Sequence, residues 1–199
     1  MVLVDHWCRA LGRAFLYLLS PGQSTTLAPR RFIPMAYYVA LIRGIGPMNP
    51  NMRNEKLADA MMSVGCADIR PVLSTGNLVF RSSARSTAAL ETKIEKAFRE
   101  KLSLSNEAIV RSQDELETIV AQNPFKGAQH GKQWYLMVTF RKDRRPPVFN
   151  QFRREGMDGP AIMRDLEKRY GKNITTRTWN TLLKIMAQML PSKKPSGAR

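Results

Sequence analysis

Two periods run through the apolar positions of this chain, and the switches between them mark out its elements. Tyr37 to Ile42 is an unbroken run of aromatic, β-branched and aliphatic residues that stops at Arg43-Gly44-Ile45-Gly46. A run this short, ending on glycines, predicts a buried central strand. Leu57, Met61 and Val64 then share one helix face, with Asn54 placed to cap it and Gly65 to end it. Ile69–Leu73 and Leu78–Phe80 predict strands on either side of the turn Ser74-Thr75-Gly76-Asn77. Leu90, Ile94, Ala97, Phe98 and Leu102 form the stripe of a second helix, opened by Ser86 or Thr87. Ala108–Val110 reads as a strand, and Ser112 with Glu115 makes a capping-box pattern ahead of Leu116, Ile119 and Val120.

Strand, helix, strand, strand, helix, strand over 37–110 is the order of an α+β, ferredoxin-like (split βαβ) unit. That unit is a four-stranded antiparallel sheet with both helices on one face. Right-handed crossovers put its first and third strands side by side at the centre. Arg43-Gly44 is therefore expected beside Gly76-Asn77. Further on, Trp134–Phe140 predicts an extra strand. Pro160 suits the first turn of a helix bearing Ile162, Met163, Leu166 and Tyr170, ended by Gly171. Thr175 or Thr176 is placed to cap a last helix whose Trp179, Leu182, Leu183 and Met186 fall on one face. The expected organisation is a single domain over 35–190, with its ferredoxin-like core at 37–110 and a C-terminal part at 111–190.

Residues 1–34 do not follow either period. They are expected to be a disordered or non-native extension upstream of a start at Met35. A transit peptide is the alternative, since the segment holds arginines and little acid. Its apolar stretch Ala14–Leu19 is far too short to span a bilayer. Residues 191–199 are expected to be a disordered basic tail.

Composition changes this picture in two ways. The 43% of hydrophobic residues is enough to bury a core and excludes wholesale disorder. Cys8 and Cys66, and His6 and His130, are isolated from one another, so neither a disulfide framework nor a zinc site is expected, and a cytosolic setting is. The net charge of +16 is uneven: residues 141–190 hold 12 basic against 5 acidic residues, whereas 35–140 hold 13 against 10. An excess of this kind makes an anionic partner plausible.

Three pieces of sequence carry a resemblance: Tyr38-Val39-Ala40-Leu41-Ile42-Arg43-Gly44-Ile45, Ser74-Thr75-Gly76-Asn77-Leu78-Val79-Phe80 and Thr175-Thr176-Arg177-Thr178-Trp179-Asn180-Thr181. In this order they resemble the signatures of the domain-of-unknown-function 1697 family, an uncharacterised bacterial family, over about residues 36–188. The resemblance implies an α+β fold with a ferredoxin-like core, and it brings no biochemical activity with it. Two departures stand out. Ile45-Gly46 replaces the family's usual Ile-Asn, and the segment between Phe140 and Gly159 is shorter than in the family.

The first functional reading is a small anionic or nucleotide-phosphate ligand at the loop after the first strand. The glycines at 44 and 46 let backbone N–H groups approach an anion. Its residues are Arg43, Gly44, Gly46, Ser74 and Asn77, with Arg177 and Asn180 added on the resemblance, whose third piece contains them. The alternative is weak, non-specific nucleic-acid binding through Arg141, Lys142, Arg144, Arg145, Arg153 and Arg154. A sheet face bearing Tyr37, Tyr38 and Phe80 could in principle stack RNA bases, although the glycine-aromatic RNA signature is lacking. No catalytic residues emerge: Ser74 and Thr75 are hydroxyls in a turn, and His130 is the only histidine of the domain. No metal, cofactor or membrane partner is expected, and the oligomeric state is open.

Overall fold

The computed structural model describes residues 34–46, 48–74 and 76–190. His6, Cys8, Thr75, the expected N-terminal extension up to residue 33 and the expected basic tail lie outside the described residues. The described chain is an α+β fold with two antiparallel sheets and five helices.

In the first sheet, β1 (Ala36–Ile42) lies between β3 (Asn77–Ser82) and β4 (Ala108–Ser112), and β2 (Ala67–Pro71) borders β3. Every pairing is antiparallel, and the register sets Leu41 opposite Asn77. Helices α1 (Asn54–Met62) and α2 (Thr87–Leu102) cover one face. They bury Leu57, Ala60, Met61, Leu90, Ile94, Ala97 and Phe98 against Tyr38, Ala40, Ile42, Leu78 and Phe80. The continuous apolar run of β1 has its cause here, because alternate residues serve two different cores. Tyr38, Ala40 and Ile42 face the helices, while Val39 and Leu41 face the other way.

That other face is closed as well. Helices α3 (Gln113–Ala121) and α5 (Trp179–Met189) and strand β5 (Trp134–Arg141) lay Leu116, Ile119, Leu136, Val138, Leu182 and Ile185 against Val39, Leu41, Val79 and Ile109. Tyr38 and Phe80 stack with centroids 5.7 Å apart inside the helix-side core. Among the described residues, the sheet therefore has no open face on which bases could stack.

Strand β5 also centres a second sheet, ordered β6-β5-β7, with β6 (Val148–Arg153) and β7 (Ile174–Thr178) antiparallel to it. Helix α4 (Gly159–Tyr170) joins the two edge strands. Thr175 and Thr176, expected as helix caps, are strand residues instead. Thr178 is the N-cap of α5 and accepts from the Thr181 amide at 3.2 Å. The run Ile174-Thr175-Thr176 is β-branched throughout, which suits a pleated surface better than a helix start. The α5 stripe forms with one exception: Leu182 is buried, Trp179 and Met186 pack against the same core beside Ile185 and Met189, and Leu183 is 40% exposed. Asn54 does not cap α1. Arg53 occupies that position without a side-chain bond, and Asn54 Nδ2 donates instead to the Leu73 carbonyl, closing the neighbouring loop. The caps expected at Ser86 and in the Ser112/Glu115 box are formed.

The edge strand β4 is closed by side chains. Its alternate amides donate to carboxylates: Ala108 to Glu95 at 2.9 Å, Val110 to Glu91 at 2.8 Å and Ser112 to Glu115 at 2.7 Å. Glu91 is 4% exposed, an uncommon burial for a carboxylate.

Candidate functional site

The chain leaves β1 at Arg43-Gly44, with Gly44 in the left-handed region at φ +66°. This loop is pinned on both sides. Ile42 N–H donates to the Gly76 carbonyl at 2.8 Å, and Arg43 N–H donates to the Glu107 carbonyl at 2.9 Å. A side chain at Gly76 would come within 2.5 Å of Ile45 Cγ1, so the close approach of the two turns needs glycine there. Asn106 Nδ2 holds the Arg43 and Gly44 carbonyls at 2.7 and 3.1 Å.

Two arginines meet at this end of the strands. Arg43 Nη2 reaches across to Glu167 of α4 at 2.6 Å, with Glu107 at 3.8 Å from Nη1. Arg177 stands on β7 and bridges the sheets. Its Nε donates to Asn77 Oδ1, its Nη1 to Thr175 Oγ1 at 2.7 Å and the Thr176 carbonyl at 2.9 Å, and its Nη2 to the Ile42 carbonyl at 2.9 Å. Among the described residues, no carboxylate pairs with it. Burial pushes its pKa down to about 10, which leaves the guanidinium charged at neutral pH.

Beside these groups opens a cleft of about 800 Å³. Arg43, Gly44 and Arg177 line it, together with Asn106, Glu107, Glu167, Lys172 and Thr176, which sequence reasoning missed. Asn77 lies behind it, fully buried, holding Arg177 and donating to the Val72 carbonyl at 3.1 Å. Three expected members do not join. The Gly46 amide donates to Met52 Sδ at 3.0 Å. Ser74 lines a separate pocket at the start of α1, and Asn180 is exposed on α5.

The basic run is occupied by carboxylates. Arg141 and Arg145 pair with Asp143 at 3.0 and 3.5 Å, Lys142 with Glu95 at 2.5 Å, and Arg144 with Glu91 at 3.5 Å. Arg153 and Arg154 lie over the rings of Trp134 and Tyr135. His130 Nδ1 accepts the Leu136 amide at 3.0 Å, and desolvation lowers the pKa of its ring, so it acts as a strut for β5. Among the described residues, no group of His, Cys, Asp and Glu could hold a metal ion, and no helix is long and apolar enough to cross a membrane.

Residues 35–165 match the family described as protein of unknown function DUF1697. The chain belongs to this family. The match covers the Arg43 loop and Asn106, and ends before Lys172 and Arg177. A solved structure, that of conserved bacterial protein SP0830 from Streptococcus pneumoniae, is similar to this DUF1697 chain at 16% identity and a TM-score of 0.57, over 78% of this chain and 99% of that one. At that identity the likeness concerns the fold alone. No curated protein matches the chain.

Proposed function

We propose that the chain binds a small anionic ligand, of the phosphate-bearing class, in the cleft between the end of β1 and the segment 172–177. The observation that carries this reading is Arg177. It is a desolvated cation whose partners among the described residues are neutral oxygens, and such a charge is relieved by an anion. Lys172, which lines the same cleft, makes no ion pair among the described residues. Arg43 plays a lesser part, because Glu167 and Glu107 already balance it.

Thermal shift at constant ionic strength tests the proposal. Phosphate should raise the melting temperature of the wild type, as any ligand of the native state does. Lys172→Ala should melt like the wild type and lose that gain. An equal gain in both proteins, or none in either, overturns the proposal.

The strand order β2-β3-β1-β4, with α1 and α2 as crossovers, supports assigning the first half to the ferredoxin-like class within one domain over 35–190. The buried free thiol of Cys66 supports a cytosolic setting. Nucleic-acid binding through the basic run has less in its favour, since Arg141, Lys142, Arg144 and Arg145 each have an acidic partner.

A further inference from the structure

We infer that the cleft is one end of a longer groove built for a linear polyanion, a ligand carrying two or more phosphate-like groups in a row. The inference rests on the anion-binding reading above and extends it.

A second cleft, of about 420 Å³, shares Lys172 and Asn173 with the first. Gly171, at φ +83°, ends α4 and turns the chain so that these two residues form the common wall. The wall is fixed from the far side, where the Lys142 amide donates to the Asn173 carbonyl at 3.0 Å. Three cations line the second cleft, Arg141, Lys142 and Lys172, against Asp143 alone. Arg141 is held over the Tyr170 ring at 5.3 Å, and its side chain is 14% exposed. Its Nε is buried without a hydrogen-bond partner among the described residues, so its hydrogen bonding is incomplete.

A purely structural reading gives each cation its own carboxylate, and it holds for Lys142, which meets Glu95 at 2.5 Å. It does not hold for Lys172, which stands where the clefts meet and makes no ion pair among the described residues. A single phosphate at Arg177 meets only one end of this array. A chain of phosphates running from Arg177 past Lys172 to Arg141 meets all of it.

The test is calorimetric titration of the full chain with orthophosphate, pyrophosphate and tripolyphosphate, metal-free and at matched ionic strength. Affinity should rise with each added phosphate, tripolyphosphate binding at least about tenfold tighter than orthophosphate, the effect of one more charge-assisted contact. Lys172→Ala should weaken all three. Asp143→Asn keeps the acceptor for the Arg145 amide, and it should tighten tripolyphosphate severalfold while leaving orthophosphate unchanged. If orthophosphate binds and depends on Lys172, yet tripolyphosphate gains nothing and Asp143→Asn behaves as wild type, the groove falls and the single-anion reading stands. If none of the three binds, both fall. Affinity for single-stranded oligonucleotides that keeps growing with length, beyond any gain seen with tripolyphosphate, also overturns the small-ligand groove and assigns it to nucleic acid.

Discussion

A guanidinium offers five N–H groups in one plane, and Arg177 points four of them at acceptors drawn from β1, β3 and β7. A lysine cannot reproduce that fork. Arg177→Lys should therefore lower the unfolding free energy by about 3 kcal/mol, through buried acceptors left unmet. Urea denaturation measures it, and a loss below about 0.5 kcal/mol would show that the fork holds nothing together. Glu91 supplies a pH prediction. Burial raises its pKa, against the lowering pull of the Val110 amide and of Arg144, Arg111 and Lys142. The folded state thus keeps this proton at a pH where the unfolded chain has released it. Stability from this group is complete below the ordinary carboxylate pKa and is lost as pH rises through the raised one. Glu91→Gln, which does not titrate, should gain on the wild type across that window in paired melts. A stability difference that stays flat with pH would contradict the sign. At this scale the sequence was partly legible. The strand order placed Arg43 near Asn77, and the structure ties Asn77 to Arg177. Lys172, Asn106 and Glu167 were invisible, because each sits in a separate element or turn and only the folded chain makes them neighbours.

At the scale of elements, the caps of α2 and α3 were readable because one side chain decides each, and the end of α4 because Gly171 marks it. β6 and β7 were not. Threonine serves both strand and cap, and Ile174–Thr178 precedes a strongly patterned helix, so the local signal favoured the wrong element. In the α5 stripe only Leu183 was misassigned, with Ile185 and Met189 completing the buried face, and for a related reason. Leu182, Leu183, Ile185 and Met186 offer two overlapping faces, and only docking against β1, β3 and β5 chooses between them. Leu182→Ala should cost about 3 kcal/mol by opening a cavity in that core, whereas Leu183→Ala should change stability by less than about 0.5 kcal/mol. Chemical denaturation of the two variants side by side checks the register of the helix, and the reverse ranking would show it to be wrong.

For the molecule as a whole, the second core is the decisive feature, because it is built from both sheets. A fragment of residues 34–112 would keep α1 and α2 yet expose Val39, Leu41, Val79 and Ile109 in one patch. It should aggregate or bind hydrophobic dyes, as large exposed apolar surfaces do. A fragment of residues 35–190 should instead melt within a degree or two of the full chain, since its cores close on themselves. Differential scanning calorimetry and light scattering distinguish these outcomes, and a soluble, cooperatively melting 34–112 piece would show that the halves are independent. The glutamates along β4 have a consequence of their own. An uncovered strand margin invites extended polypeptide from any passing chain, and here the protein's own helices answer that invitation with three carboxylates. The first sheet is thus finished at that side, and replacing Glu91 and Glu95 by alanine would turn a closed border into a place where fibrils can start.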